Sequence, residues 1–330
     1  MDTNKTVLVL GATGGVGSAI AGALGRRGWT VRALVRDAAK AAASWTGSRS
    51  PEWISGDAMS CADVVAAADG VSVIVHAVNP QGYRHWDRLV LPMMANTIVA
   101  ARAAGARIVL PGTIYNFDPS TTPIVDADTP QLPRTRKGGV RVRMEQMLEH
   151  AAPGVPSLIV RAGDFFGPGA RSSWLSQGMV KPGMPVRQLL RMTRRGGHSW
   201  AYLPDLAEAF GQLIDTADRL ASFERVQFAG HYDASGTGMT EAIRRAVGRN
   251  VAEKDFPWPL MRLLAPFGGF PREVIEIRQY WQHPLRLDNR RLVALIGEEP
   301  HTPLDAAVAQ TLADLNCLDQ PAADLAAQAA

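Results

Sequence analysis

The sequence predicts an α/β fold, a doubly wound parallel sheet followed by a smaller C-terminal region. Three observations predict it. Short apolar runs alternate with helix-compatible segments through residue 160, the pattern of a parallel sheet covered on both faces. The first run, residues 7–10, leads directly into glycines at positions 11, 14 and 17 and then into a helical stretch over 18–27. Apolar residues make up 46% of the 330-residue chain, enough for a sizeable core and too many for wholesale disorder.

Taken in order, residues 7–10 (VLVL) form the first strand. The turn after it, Gly11-Ala12-Thr13-Gly14-Gly15-Val16-Gly17, carries the glycines as Gly11-x-x-Gly14-x-x-Gly17. Glycines let the backbone approach a diphosphate closely, because no Cβ intervenes. Backbone N–H groups and the positive end of the helix dipole then face the anion. A glycine triplet alone is weak evidence, but strand, glycine turn and helix in succession make a nucleotide site. The second strand is 30–35, the third a short one at 53–54, the fourth 71–76, the fifth 107–110 and the sixth 157–160. Residues 63–68, 86–104 and 138–151 have helical character between them. The order places a ligand crevice at the carboxyl ends of the strands.

Past residue 160 Gly, Pro and aromatics cluster, first in 164–185 and again in 255–271. We read residues 1–162 as the dinucleotide-binding domain, with 199–216 returning to it as a short strand and a helix. Residues 163–198 and 217–330 form the substrate-binding region, and the Ala-rich tail 321–330 frays. No apolar run approaches bilayer length, and no signal-like segment precedes the first strand. Cys61 and Cys317 are far apart and match no metal spacing, so a cytoplasmic setting and no metal are expected. The net charge is +4, and the arginines that supply most of the positive charge are scattered along the chain. Nucleic acid is therefore not an expected partner, and neither is a membrane. A small-molecule substrate is expected, with a homodimer as an open alternative.

These residues resemble the extended and atypical short-chain dehydrogenase/reductases, the group that includes the NAD-dependent epimerase/dehydratases. The resemblance covers most of the chain. It is carried by the glycine turn, by Gly56-Asp57 after the third strand and by Leu110-Pro111-Gly112-Thr113-Ile114-Tyr115 after the fifth. It continues in Arg161-Ala162-Gly163-Asp164-Phe165-Phe166-Gly167-Pro168-Gly169 and in the C-terminal stretch from Leu287-Asp288-Asn289 to Gly297 and Pro300. It implies a Rossmann-type sheet and an NAD(P)-dependent oxidoreductase acting on a carbonyl or enone. An epimerase/dehydratase and a non-catalytic NADP-binding sensor are the alternatives. It also implies that Asp57 touches the adenine and that Ala77, Val78 and Asn79 line the nicotinamide side.

Cofactor choice turns on the end of the second strand, Val35-Arg36-Asp37. A guanidinium suits the 2′-phosphate of NADP because it binds two oxygens at once. Arg36 therefore favours NADP, while Asp37 leaves NAD open.

The family's Tyr-x-x-x-Lys pair is absent, since no tyrosine has a lysine four residues on. Aligned on Glu145, Lys137 falls in the tyrosine slot and Arg141 in the lysine slot, on one helix face. That arrangement is similar to the isoflavone-reductase-like members and makes Lys137 the leading catalytic candidate, its pKa lowered by burial and by Arg141. The alternative is that Lys137 and Arg141 only hold cofactor phosphate or ribose. Thr113, in the place of the family's active-site serine or threonine, and Tyr115 are the other proton carriers considered, with His85 behind them. Thr113 as a loop cap and Tyr115 as a packing residue are the alternatives for those two. For substrate contact the sequence offers Asp164, Phe165, Phe166, Trp174 and Tyr202, with Met179, His198 and Trp200 nearby. That mix suits a partly apolar molecule, although any one of these aromatics alone reads as core.

Overall fold

The computed structural model describes residues 5–80, 86–193 and 195–319. His85 and the tail 321–330 lie outside the described residues.

The chain opens with β1 (Thr6–Leu10), α1 (Gly15–Arg26), β2 (Thr30–Val35), α2 (Ala38–Ser44), β3 (Glu52–Ser55), α3 (Cys61–Ala67), β4 (Val73–His76), α4 (Trp86–Ala104) and β5 (Arg107–Thr113). It continues through β6 (Ile124–Val125), α5 (Arg136–Ala151), β7 (Ser157–Ala162), β8 (Asp164–Phe166), β9 (Gln188–Arg191), β10 (His198–Tyr202), α6 (Leu203–Asp215) and β11 (Phe223–Phe228). The last part comprises β12 (His231–Asp233), α7 (Gly238–Val247), β13 (Ala252–Asp255), α8 (Trp258–Leu264), α9 (Gly269–Glu276), β14 (Arg286–Leu287), α10 (Arg290–Ile296) and α11 (Leu304–Asp314).

Seven strands form one sheet in the order β11-β7-β5-β4-β1-β2-β3, every neighbouring pair parallel. Strands buried on both faces need apolar side chains in both directions, which is why β1 is apolar throughout rather than alternating. Val7 and Val9 pack with Leu24, Phe210 and Leu213 of α1 and α6 on one face. Leu8 and Leu10 pack with Val64, Met94 and Leu148 of α3, α4 and α5 on the other. Each such side chain contributes roughly 1.5–3 kcal/mol by leaving water. The strand order reverses at β1, which lies between β4 and β2, so the crevice opens at the carboxyl end of that pair.

Some boundaries differ from the sequence reading. β5 runs three residues past Leu110, with Pro111 opposite Val160 of β7. β4 pairs with β5 only as far as Val109, so Pro111 sits where one side of the ladder is already open, a place a strand proline tolerates. α5 starts at Arg136, because the Thr135 hydroxyl accepts from the Gly138 N–H at 2.9 Å and caps it. β11, inside the stretch assigned to the substrate region, is the edge strand of the large sheet. Of the 199–216 return, α6 packs on α1 in the main core, whereas β10 joins β8 and β12 in a separate three-stranded sheet.

Candidate active site

The glycine turn is built around close approaches. Gly11 has φ +89°, and a Cβ there would lie 2.6 Å from the Ala77 carbonyl oxygen at the end of β4. A Cβ on Gly17 would run into the Gly11 carbonyl, and one on Gly15 would come within 2.9 Å of the Gly169 carbonyl. The first turn of α1 is left open: Gly14 is its N-cap, no side chain caps it, and no acid occupies its first turn. Thr13 and Gly14 are exposed while Val16 is half-buried. A cradle of this shape, with uncapped amides and no competing carboxylate, fits a dinucleotide's diphosphate.

At the end of β2, Arg36 is exposed, and Asp37 is committed elsewhere: its carboxylate accepts from the Lys40 N–H at 2.9 Å and caps α2. Among the described residues Arg36 has no ion-pair partner. Exposed Asp57 accepts from the Met59 N–H at 2.9 Å. Ala77 and Val78 are half-buried and Asn79 exposed on the strand-end edge. The Ala77 N–H donates to Leu10 at 2.9 Å, tying β4 to β1 below the turn.

Thr113, Tyr115 and Lys137 come together where β5 ends and α5 begins. The Thr113 hydroxyl oxygen accepts from the Tyr115 N–H at 3.3 Å and caps the short turn Ile114–Asn116. Tyr115 is packed, its ring centroid 5.1 Å from that of Tyr280. The Tyr280 hydroxyl lies 2.9 Å from the carbonyl oxygens of both Tyr115 and Phe117, and burial pushes its pKa up. The Tyr115 carbonyl also abuts Gly138, where no Cβ would fit.

Lys137 is 2% exposed. Its ammonium contacts Glu273 Oε2 at 2.5 Å and Glu276 Oε2 at 3.0 Å, and donates to the Glu273 carbonyl at 3.3 Å. Its own N–H donates to Glu276 Oε1 at 2.8 Å. The charge facing Lys137 is therefore carboxylate supplied by α9, where helix spacing alone had placed Arg141. Arg141 lies over the Trp86 ring at 5.0 Å and faces His76. Burial, then Arg141, pushes the His76 imidazole down to about 3. Its Nδ1 is 2.8 Å from Thr97 Oγ1, which donates its own hydrogen to the Met93 carbonyl. Nδ1 therefore carries the ring hydrogen.

Below these residues lies a buried polar network. Arg161, 0% exposed, makes a bidentate pair with Glu145 at 3.1 and 2.6 Å. Asn116 and Gln131 donate to the same carboxylate, each at 2.8 Å. Glu145, used to align the helix, thus ties α5 to β7 and to the turn carrying Tyr115.

The substrate candidates separate. Asp164 Oδ2 lies 2.8 Å from His198 Nε2, and the His198 ring stacks on Trp281 at 3.8 Å. Trp174 is half-buried, edge-on to Phe256 and Trp281. Phe165 is half-buried against the main core. Phe166 and Tyr202 are interior residues, 0% and 1% exposed, and leave no surface for a ligand. The Tyr202 hydroxyl donates to Gln310 at 2.6 Å, and burial, then Asp205, pushes its pKa up to about 12. Met179 and Trp200 are likewise buried. Their aromatic density reflects the second core. Among the described residues no group of three or more His, Cys, Asp or Glu side chains could hold a metal. No described helix is long and apolar enough to cross a membrane.

A family model for NAD(P)H-binding domains matches residues 11–163. A curated relative from Streptomyces, a 3-diazoavenalumate denitrifying reductase, is 34% identical over 182 residues, covering 49% of this chain and 57% of its own. The match thus spans little more than half that relative's length. Among solved structures, MoeE5 in complex with UDP-glucuronic acid and NAD superposes with a TM-score of 0.72 at 16% identity, covering 94% of this chain and 99% of that one. The UDP-glucose 4-epimerase of Bifidobacterium longum in complex with NAD+ and UDP gives 0.71 at 14%, covering 93% and 97%. At such identities these likenesses speak for the fold. Residues 11–163 match the NAD(P)H-binding family model, and the chain shares the Rossmann-type α/β fold of these structures.

Proposed function

We propose that this chain is an NAD(P)H-dependent reductase of a carbonyl or conjugated double bond in a small, partly apolar molecule. The observation that carries this reading is one of placement. The uncapped glycine-rich end of α1 opens at the same strand-end edge as Thr113 and Lys137, because every strand of the sheet is parallel. The reductase name of the Streptomyces relative supports it. The absence of a Tyr-x-x-x-Lys pair makes the non-catalytic NADP-binding sensor the second reading.

In this reading Gly11, Thr13, Gly14, Gly15, Val16 and Gly17 hold the diphosphate. Asp57 contacts the adenine, Arg36 the 2′-phosphate of NADP, and Ala77, Val78, Asn79 and Arg141 flank the nicotinamide half. The bound dinucleotide supplies the hydride. Thr113, whose hydroxyl oxygen accepts from the Tyr115 N–H through one lone pair, donates its hydroxyl hydrogen to the substrate oxygen. Lys137 holds the proton that the developing oxygen charge takes. The Lys137 ammonium donates to the Glu276 carboxylate and to the Glu273 carbonyl and lies against the Glu273 carboxylate, so α9 groups enclose it. Contact with a substrate oxygen therefore requires one α9 acceptor to give way. Tyr115 supports the turn, and Asp164 and Trp174 lie toward the substrate side.

The test is a titration of NADPH and NADH followed by a screen of aldehydes, ketones and enones. NADPH should bind at least about tenfold more tightly, and Arg36→Ala should erase the difference, as expected for one lost charge-assisted phosphate contact. Equal affinities in the wild type would remove the role given to Arg36. No binding of either dinucleotide would overturn the function as a whole, and tight binding without turnover on any substrate would favour a sensor.

A further inference from the structure

Outside the crevice, α8 and α9 carry a separate apolar surface. These two short helices form a hairpin whose tip is Phe267-Gly268-Gly269-Phe270. Gly268 and Gly269, at φ +83° and +64°, reverse the chain there. Five large apolar side chains are exposed on this one hairpin: Leu260 at 48%, Leu263 at 69%, Leu264 at 37%, Phe267 at 87% and Phe270 at 52%. Other exposed apolar residues, such as Met59, Val99 and Leu132, are scattered along the chain. Isolated exposures are ordinary, whereas a contiguous patch marks a contact surface.

The roots of the hairpin are fixed. Trp258 donates its indole N–H to the Met192 carbonyl at 2.8 Å, Val274 is buried, and Glu276 holds Lys137. The apolar tip is thus presented outward by an anchored base. Phe267 and Leu263 are the most exposed of the five and face solvent.

Charge identifies the occupant. Between Pro257 and Arg272 the charged residues are Arg262 and Arg272, both cationic, and the acids of α9 that follow, Glu273 and Glu276, are paired with Lys137 at the hairpin's root. In a two-fold contact with a second copy, this patch would set arginine against arginine. An anionic lipid surface offers the complementary arrangement, apolar depth beneath negative headgroups. We propose that the α8–α9 hairpin docks this protein onto the surface of an anionic phospholipid leaflet, inserting Leu263, Phe267 and Phe270 while Arg262 and Arg272 meet the headgroups. This is peripheral attachment and needs no membrane-spanning segment.

The test is flotation of the full chain with phosphatidylcholine vesicles and with vesicles doped with phosphatidylglycerol. The protein should float with the anionic vesicles, partition at least roughly tenfold less onto neutral ones, and be released by salt. Leu263→Ser/Phe267→Ser/Phe270→Ser should abolish flotation with Tm unchanged, because these side chains are exposed. Arg262→Glu/Arg272→Glu should weaken it at least roughly tenfold. Absence of flotation with either vesicle, or flotation unchanged in the triple-serine variant, would overturn the proposal. So would a dimer by light scattering that the serine variant dissociates, which assigns the patch to self-association. A raised KM in that variant with flotation intact would overturn it too, making the hairpin a wall of the substrate entrance.

Discussion

At the scale of single residues, the chemistry converges on Lys137. A buried ammonium facing two carboxylates is costly to break on one side only, because the remaining charges lose their partner. Lys137→Met should therefore lower stability by about 3 kcal/mol and reduce kcat/KM by roughly 100-fold or more. The two effects are separable. In Lys137→Met/Glu273→Gln/Glu276→Gln the carboxylates are neutralised together with the lysine, so thermal melting should recover most of the lost stability while turnover stays low. Recovery of turnover along with stability would make Lys137 a structural clamp and return proton transfer to Thr113. The lysine itself was legible from its place in the helix, about two turns before Glu145. Its partners were not: Glu273 and Glu276 lie far down the chain, and no local spacing links them to residue 137. Their only local signal is their i, i+3 relation, which puts both on one face of α9.

At the scale of elements, β1, the glycine turn and α1 act as one unit, and this unit was the most legible part of the fold. Its signals are local: an apolar strand buried on both faces, then glycines wherever backbone meets backbone. Gly11 is its most demanding position, with positive φ and Ala77 directly opposite. Gly11→Ala should cost at least about 1–2 kcal/mol for the left-handed backbone alone, with more from displacing β4. It should also abolish dinucleotide binding, read by calorimetric titration at a temperature where the variant remains folded. Retained affinity would show that the turn does not approach the ligand as proposed. The aromatic clusters were harder to read. Phe166 and Tyr202 sit next to motif residues in sequence, yet period and composition do not distinguish a cleft wall from the interior of a second core. Only the packing around Trp200, Met239 and Leu312 places them inside.

At the scale of the whole molecule, the sheet buries a titratable group at its working edge. His76 ends β4, beside the glycine turn, and is 2% exposed. Its Nδ1 is satisfied by Thr97, and burial with Arg141 nearby depresses its pKa to about 3. The unfolded chain takes up this proton near the ordinary value of 6.5, whereas the folded chain does not until near 3. The unfolded state therefore binds more protons throughout that window, and stability falls as pH drops through it. At roughly 1.4 kcal/mol per pH unit the loss from His76 approaches about 3 kcal/mol by pH 4. His231, depressed to about 4 by burial and by His301, adds to the same slope. His76→Asn keeps an N–H for Thr97 and removes the titration, so its melting temperature should fall less than that of the wild type between pH 6.5 and 4. Parallel curves for the two proteins would show that His76 is protonated in the folded state. In that case the Arg141 side of the crevice carries one more positive charge than the hydrogen-bond pattern assigns to it.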